Sequence, residues 1–279
     1  MQVLFRLALL TSFAGYLPIA AGDPAAKQEH PPAKEIIAKA VEWAQWHHEQ
    51  KFYKRWRLEH VYTARHLNDA EAVQSTETRS FQVYPLAGEQ FYELETRDGQ
   101  PLSRSDLRKE TKRKREFIEK ANKKATGKSS VPDDEDEEEF NFDHELVSRY
   151  RAEVTGLEEI AGRSAYVLTF EPKEGPLPVR RRADHALNHS RGKLWIDSKD
   201  FVVLQVDFEL MEPVRLWGGI LGSLSRMHGR LTLTELGGGA WYYKHLDVYV
   251  KGRVLVKSFH QDMRLEWKDF LPVASSGGL

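Results

Sequence analysis

Between Phe201 and Leu210 the chain reads FVVLQVDFEL. Val202, Leu204, Val206, Phe208 and Leu210 fall at every second position, and Gln205, Asp207 and Glu209 fill the gaps between the last four. A period of two sets the five apolar side chains on one face of a strand and the polar ones on the other. Such a strand has one buried and one wet face, as antiparallel sheets commonly do. Each well-buried member adds ~1.5–3 kcal/mol, so a charge at Val206 is expected to be severely destabilising. The same style recurs along the chain. RWRLEHVYTARHL, STETRSFQVYPL and EQFYELETRDG, punctuated by Leu86-Ala87-Gly88 and Arg97-Asp98-Gly99, predict an antiparallel meander. YRAEVTGLEEIAG, RSAYVLTFEPK, RGKLWIDSKD, GRLTLTELGG, AWYYKHLDVYVKG and RVLVKSFHQDMRLEW follow, for about ten strands in all.

Two helical stretches interrupt this pattern. After Pro31-Pro32, which suit a helix entrance, Ile36, Ile37, Ala40, Val41 and Ala44 recur at helical spacing and predict an amphipathic helix of about four turns. In the middle, SRSDLRKETKRKREFIEKANKKATGKSS is nearly all charged, with Leu107, Phe117 and Ile118 its only large apolar residues. Seven consecutive acids follow at 133–139. Residues 102–143 therefore read as a solvated, charged helical and acidic insertion, with a basic arm plus acidic clamp for a partner as the alternative. The class this predicts is α+β, a large curved antiparallel sheet with a long N-terminal helix packed on it.

The first 22 residues are set apart. Arg6, an apolar run from Leu7 to Leu17, Pro18 and then Ala20-Ala21-Gly22 have the layout of a secretory signal cleaved near Gly22. The apolar run is too short to cross ~30 Å of hydrocarbon well. Residues 23–32 read as a flexible leader, 33–273 as the domain and 274–279 as a tail. The chain has no cysteine, which excludes disulfides, thiolate metal sites, thiol nucleophiles and cysteine-borne lipid anchors. With 41 Lys and Arg against 42 Asp and Glu, nothing steers it to nucleic acid.

From Gly156 to Phe270 the sequence resembles the outer-membrane lipoprotein-sorting (LolA/LolB-like) superfamily, in an uncharacterised exported bacterial branch. The likeness rests on Gly162, Tyr166, Leu168, Pro172 and Lys173, then Gly192, Leu194, Trp195, Ile196 and Asp197. It implies an open half-barrel, periplasmic, whose concave apolar side is capped by helices and holds acyl chains. The insertion departs from a typical carrier, and no residue is carried over from a family ligand contact.

Acyl recognition needs only an apolar surface, at ~0.8 kcal/mol per buried methylene. The candidate surface is Tyr166, Leu168 and Phe170 with Val202, Leu204, Val206, Phe208 and Leu210, although an apolar sheet face is more often plain core. Trp217, Ile220, Leu221 and Leu224, among Gly218, Gly219 and Gly222, form a candidate lip or else a tight bend filling the barrel end. Arg180, Arg181 and Arg182 are candidate contacts for anionic groups, or a solvated loop.

The histidines carry less. Adjacent His47 and His48 point about 100° apart on a helix and do not converge on one ion. His245 and Asp247, two apart on a strand with His260 on the next, suggest a metal or base–orienter pair without a third ligand. Asp184, His185 and His189 lack the zinc-protease pattern, Ser190 lacks a nucleophile elbow, and no nucleotide loop occurs. The sequence thus predicts a non-catalytic periplasmic binder of a lipid, lipoprotein or other apolar envelope molecule, needing no cofactor or metal. The alternative is an envelope sensor that recognises a protein partner, with the insertion contributing.

Overall fold

The computed structural model describes residues 30–126, 142–216, 222–255 and 257–273. The expected signal segment, the acidic run 133–139, three of the lip residues (Trp217, Ile220 and Leu221) and the tail 274–279 lie outside the described residues.

The chain is α+β. Helix α1 (Ala33–Glu49) starts at Pro32, whose ring already fixes the φ that a helix entry needs. It buries Ile36, Ala40 and Val41 of the expected stripe. A 3-10 turn at Phe52–Arg55 then leads into β1 (Trp56–Leu67), β2 (Val73–Leu86), β3 (Glu89–Arg97) and a two-residue β4 (Gln100–Pro101). Helix α2 (Arg104–Ala125) and short α3 (His144–Ser148) precede β5 (Tyr150–Ile160) and β6 (Arg163–Pro172). Helix α4 (Arg182–Leu187) leads to β7 (Ser190–Asp197), β8 (Val203–Leu210) and β9 (Val214–Leu216). Long β10 (Gly222–Gly237), β11 (Ala240–Val254) and β12 (Lys257–Pro272) complete the chain.

All strands belong to one antiparallel sheet in the order β4-β3-β2-β1-β12-β11-β10-β8-β7-β6-β5, with β9 beside β10. The ends do not meet, so the sheet is open. Sequence reading counted about ten strands because β4 and β9 are too short to show a period. The meander over β1 to β3 and the Ala87-Gly88 and Asp98-Gly99 turns form as expected, each turn with both residues at positive φ.

The sheet is two-sided in a way the registers make explicit. Residues directly opposite one another share a face, and one unbroken row runs Val154, Leu168, Leu194, Val206, Leu231, Leu246, Leu265, Tyr62. The next row on that inner face runs Ala152, Phe170, Gly192, Phe208, Gly229, Val248, Met263, Ala64. Between them, on the outer face, lies Glu153, Thr169, Lys193, Asp207, Arg230, Asp247, Arg264, Thr63. There Arg230 grips Asp207 at 2.6 and 2.7 Å, and Arg264 grips Asp247 at 2.6 and 3.2 Å.

One expected face is corrected. Val202 and Leu204 do not share a side with Val206 and Phe208. The register slips by one residue where Trp195 and Ile196 meet Gln205 and Val203, and a bulge sends alternate side chains to new faces. Val203 therefore joins Leu168, Leu194, Ile196 and the α1 residues Ile36 and Ala40 in one core cluster, with Val206 against it. Val202 and Leu204 pack instead with Ala165, Val167, Trp195 and Trp241.

The insertion is also corrected in part. Its apolar stripe is thin, yet α2 docks: Phe117 packs on buried Phe91 at 4.9 Å, Glu110 accepts the Leu94 N–H at 3.0 Å, and Arg113 donates to the Tyr92 carbonyl. The helix thereby covers the edge of β3, which two-residue β4 barely protects. Residues 180–190, expected as a loop, contain α4. Asp184 there is fully buried, paired with buried Arg149 at 3.0 Å.

Candidate functional site

The inner face is curved, and its side chains prove it. Gln90 on β3 donates from Nε2 to the Tyr242 hydroxyl on β11 at 2.8 Å. These strands are four places apart in the sheet, a separation of about 19 Å if flat, so the sheet must curl inward to let them touch. The same end is stoppered by aromatic groups. Trp43 stacks on His47 at 4.8 Å, His47 Nε2 accepts the Trp241 N–H at 3.0 Å, and Arg163 lies 5.2 Å over Trp241. Burial, with the neighbouring His48, pushes His47 below the usual histidine range.

Two zones divide the inner face. Over β5 to β7, α1 fills it, and Leu168, Leu194 and Ile196 are buried core. From β8 to β1 it carries no second layer among the described residues: Val206, Phe208, Leu231, Leu246, Val248, Met263, Leu265 and Tyr62 are all half-buried. The trough is kept deep by glycines. A Cβ on Gly229 would stand 2.6 Å from the Phe208 ring, one on Gly252 2.5 Å from Phe259, and one on Gly192 2.8 Å from Phe170. Each ring lies across the glycine of its neighbouring strand instead of standing up into the hollow.

At β2 the two rows end in Arg79 and Glu77, with Arg79 Nε donating to Glu77 at 2.6 Å and Arg97 3.7 Å from the same carboxylate. Beside the trough, His60 sits among Phe81, Tyr92 and Trp267, and burial lowers its pKa to about 4. Tyr242 is held well above the usual phenol range by burial. The surface is thus apolar and uncharged across its centre, with polar groups at its margin.

Of the expected surface residues, Tyr166 and Phe170 pack against the α1 cluster and Leu168 lies buried within it. Val206, Phe208 and Leu210 border the open zone, half-buried. Leu224 is half-buried on β10. Arg180 pairs with Glu145 at 3.1 Å and Arg181 lies 3.7 Å from Asp184, so both are engaged within the chain; the Arg182 side chain lies outside the described residues. The structure does not assemble the His245, Asp247 and His260 set. His260 lies opposite Lys251, six residues beyond His245 and about 20 Å along the strand, and bonds the Tyr249 hydroxyl at 2.6 Å and the Asn68 carbonyl at 2.9 Å. Asp247 is taken by Arg264. His189 bonds Glu212, and Ser190 is buried, donating to the Ala186 carbonyl.

Sequence reasoning missed the open zone's main contributors, Leu231, Leu246, Val248, Met263, Leu265 and Tyr62. Alternation in GRLTLTEL and HLDVYV held the signal, but which face it belonged to depends on register.

An open, curled antiparallel sheet with one apolar face, one charged face and a helix plugging half the hollow defines a binding fold. No protein-family model matches the chain, and no curated protein matches it. Among solved structures it is similar to a DUF1329 family protein from Desulfovibrio piger (13% identity, 86% of this chain and 94% of that one, TM-score 0.34). It is likewise similar to a LolA superfamily protein from Nitrosomonas europaea (13%, 86% and 93%, 0.33) and to the lipoprotein LppX of Mycobacterium tuberculosis (9%, 85% and 96%, 0.27). The superfamily that the residues resemble is therefore represented among its structural neighbours. The superpositions are loose, and no residue role transfers from them.

Proposed function

We propose that this protein is an exported, non-catalytic carrier for an apolar, acyl-bearing molecule of the cell envelope, held against the inner face from β8 to β1. The observation that supports it is the pair of registered rows centred on Leu231–Leu246–Leu265 and Gly229–Val248–Met263, apolar and half-buried with no described layer above them. A surface like this needs a partner to leave water, at ~25 cal/mol per Å² of apolar area. Lipid acyl chains or a lipoprotein's acyl groups supply that area without directional chemistry, and an anionic head would lie at Arg79 and Arg97. A periplasmic location follows from the leader at 1–22.

Organic extracts of protein purified without detergent, read by mass spectrometry, are expected to contain acyl lipid. Delipidated protein is expected to bind a naphthylamine probe and to gain about 2.7 kcal/mol of stability at a hundredfold excess of ligand over Kd. Clean extracts together with no probe uptake would overturn the proposal.

A further inference from the structure

Four two-residue hairpin turns in the described residues place glycine second: Ala87-Gly88, Asp98-Gly99, Ala161-Gly162 and Gly238-Gly239. Positive φ at both positions favours that choice. The β11–β12 hairpin breaks the rule. Its last pair is Val254 with Lys257, so the turn is Leu255-Val256, and Leu255 sits at φ +53°. Val256 lies outside the described residues. A leucine at positive φ weakens a turn, and burial does not compensate, since Leu255 is 57% exposed and Val254 52%. A residue that strains the backbone and covers nothing of its own chain points to an external contact.

The charges beside the tip indicate what that contact is. Arg253 and Lys257 flank it, both exposed, and Arg215 on β9 lies opposite Ser223, which lies opposite Arg253. None of these three cations has an acidic partner among the described residues. The acids at this end are already engaged: Asp69 with Lys251, Glu71 with Arg226, and Glu212 with His189. Two exposed aliphatic side chains ringed by unpaired cations match the boundary between anionic headgroups and acyl chains. The tip also stands at the end of the inner face opposite the aromatic stopper, just beyond Gly252 and the Phe259 ring.

We propose that the β11–β12 hairpin tip docks on an anionic bilayer surface, with Val254 and Leu255 entering below the headgroups and Arg253, Lys257 and Arg215 on the phosphates. Its purpose rests on the carrier function above; its chemistry does not. The test is co-sedimentation of the full chain with vesicles of phosphatidylcholine, with and without phosphatidylglycerol. Wild type is expected to bind the anionic vesicles, and less so as salt is raised. Leu255→Gly relieves the strained φ, so it is expected to melt at the same or a higher temperature, yet to bind about tenfold more weakly. The double change Arg253→Glu, Lys257→Glu is expected to lose the preference for anionic vesicles. Wild type that ignores anionic vesicles at low salt, or Leu255→Gly that sediments like wild type, overturns the proposal. Probe uptake separates the two claims. Vesicle binding without uptake defeats the carrier and leaves the docking tip, whereas uptake without vesicle binding defeats the tip alone.

Discussion

His60 is an ionisable side chain held where a charge has no solvent. Burial depresses its folded pKa to about 4 from 6.5, so between those values the unfolded chain binds the extra proton. Stability from this site is present above pH 6.5 and is lost as the pH falls toward 4, by about 3 kcal/mol at most. Urea unfolding at pH 7 and pH 4.5 is expected to show the loss in wild type and a smaller one in His60→Phe. An equal loss in both would place the acid sensitivity elsewhere. Little of this was legible in sequence. The EHVYT segment shows a histidine in a strand, but which face it takes, and that Phe81, Tyr92 and Trp267 surround it, depend on partners 21 to 207 residues away. Gly229 was hidden for the same reason, because its use becomes apparent only when Phe208 is seen lying over it.

Single elements were read well when a period was long and clean. The α1 stripe, the β1–β3 meander and the strand from Val203 to Leu210 all formed. Failure came where one residue is added, since the bulge opposite Trp195 and Ile196 changes the facing of Val202 and Leu204 without altering composition. The charged helix is a different case. Its existence was predicted from propensity, but its docking uses the backbone edge of β3, which carries no side-chain signature. Replacing residues 102–143 by a short glycine-serine linker is therefore expected to bare that edge and shift the protein from one species to self-associated ones in light scattering. Probe uptake should persist, because the open zone lies on the other side of β2. Loss of uptake with the protein still monomeric would instead place the insertion in the ligand site.

At the scale of the molecule, the separation of an apolar inner face from a charged outer one is what makes a bowl of this sheet. The outer ladder is exposed, so each pair contributes only ~0.2–1 kcal/mol; its larger effect is to keep that face in water. The inner face is where occupancy can be tested. Val248 lies half-buried between Gly229 and Met263, and Val248→Trp is expected to fill the hollow, lowering probe affinity at least about tenfold while moving Tm by only a few degrees. Unchanged affinity would place the ligand elsewhere.

The bond between Gln90 and Tyr242 stitches strands four places apart, and it does so near one rim only. Any flattening of the sheet must then pivot about that seam, so the opposite rim splays most for a given bend, much as a purse sewn at one corner gapes at the other. Bulky cargo is accommodated by breathing of the β11–β12 end, while the sewn corner keeps its shape from one passenger to the next.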